Sequence, residues 1–372
     1  MVERRQYIVV GAGLVGLAVT RELARRGRDV LCLERETIGH ERGGSKGTSR
    51  IFRAGYPDAL YVQMAGRSFR GWQALSDESG RSLLEPTGLL SFGDQVDEVA
   101  AAMAAGGAAL EILDEVSVAD RFPGIAVSGR AVFEPGAGVL RADEVLSALA
   151  HSARSAGGEI LEHVLVSSIE DREDSVRIAG NSVAYDCDAV ILCAGPWSAV
   201  MGQSAGLATA RMFRPTLQQV AYLRPMSGSV SGLPAFVERA PVTCYGLPVP
   251  ALGTYKVGVH DPGPAVAPGP ITLDDDARDL EVLATMAARV LPGFEPEPVV
   301  TERCYYDNTA DEHFVIDRVG RVVIGAGTSG HGFKFGPVWG EVLADLAEGQ
   351  QPSFLIENFS ISRAGLSREP GA

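Results

Sequence analysis

The sequence predicts an α/β protein in which a parallel-sheet domain is interleaved with a second domain built on an antiparallel sheet. Three observations carry this expectation. A short apolar run, Tyr7 to Val10, enters the glycine motif Gly11-Ala12-Gly13-Leu14-Val15-Gly16 and leaves through a helical pattern from Leu14 to Arg26. A second apolar run, Val30 to Leu33, ends at Glu34 and completes a strand, turn, helix and strand in order. From Thr216 to Val259 the pattern changes to alternating strand-like segments with prolines, which suits an antiparallel sheet.

The first unit is Rossmann-like. In such a unit the first glycine permits the tight turn, the second lets the backbone approach a pyrophosphate, and the third lets the helix pack on the strand. The helix N-terminus then faces the phosphates. Glu34 stands 18 residues after Gly16, where a carboxylate accepts hydrogen bonds from ribose hydroxyls. Strand, helix and terminal acid together point to a dinucleotide, and the motif alone leaves FAD and NAD open.

The remaining elements follow in order. Helical patterns cover Ala59 to Leu75 and Val96 to Ala105, and strand-like runs cover Leu89 to Phe92 and Ala131 to Glu134. A helix is expected from Ala142 to Ala156, with Asp143 near its start, then strands at His163 to Ser167, Val176 to Ile178 and Ala189 to Cys193. Ala194-Gly195-Pro196-Trp197 breaks the last of these, as at the end of a strand facing a nucleotide. Thr272 to Leu291 reads as a helix. Arg321 to Ala326 reads as a strand leading through a loop, Gly327 to Gly332, into a final helix from Phe333 to Leu346. The expected division assigns 1–84, 136–208 and 300–372 to the nucleotide domain, and 85–135 and 209–299 to the second domain.

Composition removes several classes of function. The 372 residues suffice for two domains with their own cores, and 46% apolar with 22% charged residues is ordinary globular usage. The apolar run from Ala189 to Ala194 is far short of the roughly 20 residues that span a bilayer. Acidic residues outnumber basic ones 47 to 33, which works against nucleic acid and anionic lipid as partners but leaves room for a small anionic substrate. The five cysteines show neither CxxC pairs nor zinc spacing, and the six histidines include no HExxH, so neither a disulfide framework nor a metal site is expected. No GxSxG elbow is present, which removes a serine hydrolase. Met1 to Val10 runs directly into the glycine motif without a cleavage site, and a cytoplasmic protein is expected.

Further motifs narrow the reading. After the glycine motif come Gly44-Ser45-Lys46-Gly47-Thr48-Ser49-Arg50-Ile51-Phe52-Arg53, then Tyr255-Lys256-Val257-Gly258-Val259-His260. Cys304-Tyr305-Tyr306 precedes Asp311-Glu312-His313-Phe314, and Ser329-Gly330-His331-Gly332-Phe333-Lys334-Phe335 closes the series. In this order they resemble the monomeric sarcosine oxidase and N-methyltryptophan oxidase family, covalent flavoprotein amine oxidases of the D-amino acid oxidase type. The resemblance covers almost the whole chain.

The resemblance implies FAD bonded through the sulfur of Cys304, although residue type alone would make Cys304 another buried apolar cysteine. It implies Gly11, Gly13, Gly16, Glu34, Ser45, Thr48, Arg50, Gly330, Gly332 and Lys334 as cofactor contacts. Lys256, which residue type alone would put on the surface, is placed over the flavin to assist electron transfer to oxygen, and Arg50 against the ring. Arg53 and Lys334 match the clamp on a substrate carboxylate, and Tyr245 and His260 line the pocket. His331 lies in a glycine loop that the resemblance assigns to close backbone approach to the flavin, and neither it nor His313 is assigned as a base.

The sequence departs from the family at Lys46, where a histidine is usual, at Ala54-Gly55-Tyr56-Pro57, and across Met212 to Pro250. The expected activity is FAD-dependent oxidation of a secondary amine bearing a carboxylate, such as an N-methyl amino acid or cyclic imino acid, by oxygen, giving imine and hydrogen peroxide. A tailoring oxidase of a larger amine or cyclic imine, and a flavin dehydrogenase using a carrier acceptor, are the alternatives within the enzymes. A noncatalytic nucleotide-binding module is the alternative outside them. A monomer is expected.

Overall fold

Register brings three strand ends to one level. Glu3–Val10 pairs in parallel with Val30–Leu33 on one side and Val183–Leu192 on the other, so that Val10, Leu33 and Leu192 lie side by side. Gly11, Glu34 and Cys193 therefore emerge together beyond the carboxyl ends of the strands, where an open α/β sheet receives its ligand. The computed structural model describes residues 3–181, 183–260, 263–271, 276–352, 354, 356–364 and 366.

Within this part of the chain the first sheet has eight strands. Glu159–Leu161 continues it in parallel beyond Val30–Leu33, and Val322–Ala326 adds in parallel beside Val183–Leu192. Val176–Gly180, Val166–Asp171 and Val315–Val319 are antiparallel additions. Side chains alternate between two covered faces, which is why the central strands are apolar throughout. Val9, Cys32, Ile191 and Val323 pack under the helices Leu14–Arg25, Ala142–Ser155 and Gly336–Ala347, together with Trp72 of Ala59–Ser79. Ile8, Leu31, Val190 and Ile324 point the other way, against Leu207 and Phe213.

The second sheet also has eight strands, in the order Val300–Asn308, Arg214–Leu223, Thr254–His260, Thr243–Val249, Ala235–Arg239, Leu89–Gly93, Ala131–Glu134 and Glu111–Leu113. All neighbours are antiparallel except Ala235–Arg239 beside Leu89–Gly93. Alternation again divides the faces. Tyr255, Val257 and Val259 pack on Leu283, Met286 and Val290 of the helix Ala277–Val290, which turns Lys256, Gly258 and His260 to the opposite face. A small third sheet joins Ser49–Phe52, Gly138–Arg141 and Leu84–Glu85 and holds the segment that carries Arg50 and Arg53.

Several boundaries differ from expectation for identifiable reasons. Residues 300–308, expected with the nucleotide domain, belong to the second sheet, because they pair with Arg214–Leu223 continuously from Tyr222 opposite Val300 to Arg214 opposite Asn308. The strand expected from His163 begins at Val166, since His163 adopts a φ of 62°, which an extended strand does not accommodate. The helix expected from Thr272 starts at Ala277, where the Asp276 side chain accepts the N–H groups of Arg278 and Asp279; residues 272–275 lie outside the described residues. The final helix splits into a 3₁₀ turn, Phe333–Phe335, and Gly336–Ala347. No helix among the described residues is long and apolar enough to cross a membrane.

Candidate functional site

A cavity of about 1050 Å³ runs from the glycine motif to the inner face of the second sheet. At its nucleotide end Gly11 takes a φ of 103°, and a Cβ there would stand 2.5 Å from the carbonyl oxygen of Cys193. A Cβ on Gly16 would stand 1.8 Å from the Gly11 carbonyl oxygen, so Gly16 seats the helix on the turn and does not itself line the cavity. Glu34 is buried; one of its oxygens accepts the Ala12 N–H at 2.7 Å and the other the Glu36 N–H at 2.9 Å. Ser45 Oγ accepts the Leu14 N–H at 3.0 Å, and the Arg35 guanidinium lies 4.7 Å from the Trp197 ring centre. Among the described residues Ser49 Oγ is buried with no hydrogen-bond partner.

Thr48 does not join this group. Its side chain is exposed and off the cavity, because its carbonyl accepts the Ala142 N–H at 2.9 Å and ties the loop to the start of the helix Ala142–Ser155. Lys46, where the resembled family usually has histidine, lines the cavity and forms an ion pair with the exposed Glu41 at 2.6 Å.

The second sheet supplies the opposite wall, and directly paired residues share its face. Lys256 is opposite both Tyr222 and Leu247, Tyr245 is opposite Gly258, and Cys304 is opposite Gln218. Lys256 is 5% exposed; its Nζ lies 5.4 Å from the Tyr222 ring centre and has no carboxylate at ion-pairing distance among the described residues. Burial, reinforced by the Arg50 guanidinium, pushes its ammonium down to about 8. Arg50 donates to the carbonyls of Ser49, Gly44 and Lys46 at 2.8, 3.0 and 2.6 Å and lies 5.5 Å from the Phe333 ring centre. Tyr245 and Tyr306 are half-buried and both line the cavity, with the His260 ring 5.6 Å from that of Tyr306. Cys304 is half-buried and borders the cavity.

Arg53 and Lys334 meet from distant parts of the chain around Tyr56. Arg53 stacks 3.9 Å from the Tyr56 ring centre and donates to the Gly55 carbonyl. Lys334 Nζ donates to Tyr56 Oη at 3.0 Å and to the His331 carbonyl at 2.7 Å, which leaves one N–H for the cavity. Burial and then Arg53 hold Lys334 well below the ordinary lysine range, and an anion bound between the two cations opposes both causes. His331 Nε2 lies 3.0 Å from the Glu312 carbonyl oxygen and must carry the proton, so Nδ1 accepts from Tyr56 Oη at 3.2 Å. Burial and Lys334 keep this imidazole neutral. His313 is occupied by Tyr61 Oη at 2.9 Å.

The glycine loop after Val322–Ala326 is shaped by Asp307, which accepts the N–H groups of Gly327 and Thr328 at 2.9 and 3.0 Å. Gly330 has a φ of 72°, and a Cβ there would stand 2.0 Å from the Tyr306 ring. Gly330 and Gly332 both line the cavity.

Sequence reasoning did not single out Tyr56, Glu134, Arg239 and Asp307. Glu134 is buried, accepts the N–H groups of Ala54 and Gly55 at 2.7 and 3.0 Å, and is pushed up to about 7 by burial. Arg239 closes the strand Ala235–Arg239 at the cavity wall. Glu134 carries the signal that marked Glu34, a charged residue closing an apolar strand-like run, and Arg239 ends such a run behind Glu238.

The sequence profile of the FAD-dependent oxidoreductase (DAO) family matches residues 6–346. The chain is 33% identical to the peroxisomal sarcosine oxidase of Mus musculus, covering 96% of this chain and 95% of the mouse protein. It is 31% identical to the monomeric sarcosine oxidase of Bacillus sp. (strain B-0618), covering 96% of each. The L-proline dehydrogenase of P. horikoshii has a similar fold, with a TM-score of 0.85 over 97% of each chain at 22% identity.

Proposed function

The chain belongs to the FAD-dependent oxidoreductase family, and from that premise we propose that it oxidises a secondary amine bearing a carboxylate, an N-methyl amino acid or cyclic imino acid, with oxygen as acceptor. One observation carries the reading: the glycine turn, Lys256, Cys304 and the Arg53–Lys334 pair all border one cavity. The residues fit FAD. Gly11 and Gly13 leave the backbone open to a pyrophosphate, Glu34 offers carboxylate oxygens to a ribose, and the orphaned Ser49 hydroxyl awaits a partner. Cys304 is the anchor for covalent attachment.

FAD held here would supply the two-electron chemistry: removal of a hydride equivalent from the carbon next to the amine, and return of the electrons to oxygen as hydrogen peroxide. The chain orients the substrate. Arg53 and Lys334 hold the carboxylate, and Tyr56, bonded to Lys334 and itself anchored by neutral His331, keeps the ammonium in place. Tyr245, Tyr306 and Leu247 exclude water from the amine end, and His260 borders it. Lys256 provides the buried positive charge that the oxygen half-reaction requires; that charge favours oxygen over a carrier acceptor. In this reading the protein works as a cytoplasmic monomer.

The test is to precipitate the purified yellow protein with acid and to assay peroxide release from sarcosine, N-methyltryptophan, proline and pipecolate. Colour that stays in the pellet and peroxide from at least one amine are expected. Colour released to the supernatant rejects the Cys304 bond, and reduction by amines without peroxide rejects the oxidase.

A further inference from the structure

Two guanidinium groups converge on a single acceptor at the substrate end of the cavity. Arg53 donates to the Gly55 carbonyl, and Arg239 Nη2 donates to the same oxygen at 3.1 Å. The backbone of Arg239 is held firmly, since it pairs with Gly93 in the parallel register and its carbonyl accepts the Asp94 N–H at 2.7 Å. Its side chain borders the cavity beside Tyr245 and Thr243.

The charges here do not balance. Among the described residues, none of Arg53, Arg239 and Lys334 has a carboxylate at ion-pairing distance. Asp94 is exposed and makes no ion pair with Arg239. Among the described residues Glu134 is the buried carboxyl at this end; it accepts two backbone N–H groups, and its charge acts on Arg53 and Lys334 and leaves Arg239 without a partner. Burial, and next the repulsion from Arg53, draw Arg239 down to about 9, the direction of a cation short of anions. A half-buried guanidinium at a cavity wall with no counterion beside it is a poor arrangement by itself, and a bound anion is the natural partner. One substrate carboxylate occupies Arg53 and Lys334. It leaves Arg239 unmatched.

We propose that Arg239 is a specificity residue that receives a second anionic group of the substrate, so that the preferred substrate is a secondary-amine dicarboxylate. Because both guanidiniums reach one carbonyl oxygen, the two carboxylates are separated by only a few bonds, as in an N-alkyl aspartate-type skeleton. This deepens the amine-oxidase reading and rests on it. Arg239 sets which amine is chosen and takes no part in the redox chemistry.

The experiment compares ligands that differ by one carboxylate, on the holoenzyme and on Arg239→Gln and Arg239→Lys. Calorimetry measures binding of succinate against butyrate, and peroxide release measures kcat/KM for N-methylaspartate against N-methylalanine. In the natural protein both ratios should favour the dicarboxylate by about tenfold or more, the scale of one charge-assisted contact. Arg239→Gln should bring both ratios close to one, and Arg239→Lys should restore part of the preference. Succinate binding no tighter than butyrate, or an Arg239→Gln variant that loses activity while keeping the ratio, overturns the proposal and reduces Arg239 to a support for Gly55. Selective succinate binding with no peroxide from any amine upholds the anion site and rejects the oxidase reading alone.

Discussion

Lys256 illustrates how position converts an ordinary side chain into a reactive one. On a surface it would be a solvated cation; buried over Tyr222 and beside Arg50, it loses its charge near pH 8 instead of above 10. The direction of the pH dependence follows from this. The cation is present below about 8 and is lost as pH rises through that value, so reoxidation of the reduced enzyme by oxygen should slow across this range. Lys256→Met should lower reoxidation by about 10² to 10³ and flatten its pH profile, with a much smaller effect on reduction by the amine. Stopped-flow measurement of the two half-reactions decides the matter: equal losses in both, or a flat wild-type profile from pH 7 to 9, would remove Lys256 from the oxygen step.

Elements, more than single residues, carry the nucleotide end. The strand, turn and helix from Glu3 to Arg25 work because two glycines remove atoms that the packing has no room for. Gly16→Ala sets a methyl group 1.8 Å from the Gly11 carbonyl oxygen, which forces the helix off the turn. Loss of bound flavin and of soluble protein is expected. Gly66 offers the contrast, since it lies exposed inside the helix Ala59–Ser79 and a Cβ there would meet nothing within 4 Å. Gly66→Ala should raise stability by about 0.5–1 kcal/mol with activity retained. Denaturant melts of the two variants check this pair, and a tolerated Gly16→Ala would show that the turn has more slack than its geometry implies.

At the scale of the whole molecule, the cavity lies between the two sheets, and each wall comes from a different part of the chain. A ligand that bridges these walls binds the folded state alone and stabilises it by mass action. Cys304→Ala makes the consequence measurable, since its flavin should wash out and be released by acid. The washed variant should then melt at a lower temperature than the wild type. Added FAD should raise its stability by about 2.7 kcal/mol at a hundredfold excess over Kd. A melting temperature indifferent to FAD would mean that the two walls are held together without it.

What was legible in the sequence followed from local rules. A strand feeding a glycine turn, a charged residue closing an apolar run, and a period of two in Thr254–His260 each leave a pattern within a few residues of one another. These patterns located the nucleotide turn, Glu34, and the face that presents Lys256 and His260. Tertiary structure decided what depends on meetings between distant segments. The second-sheet membership of residues 300–308 depends on pairing with Arg214–Leu223, and the exposure of Thr48 on its bond to Ala142. The convergence of Arg53, Arg239 and Lys334 also lies beyond local pattern, because these residues are far apart in sequence and each alone resembles a solvated cation. Their chemistry arises from convergence around Gly55 and Tyr56, where mutual repulsion and the scarcity of carboxylates create a demand for a bound anion.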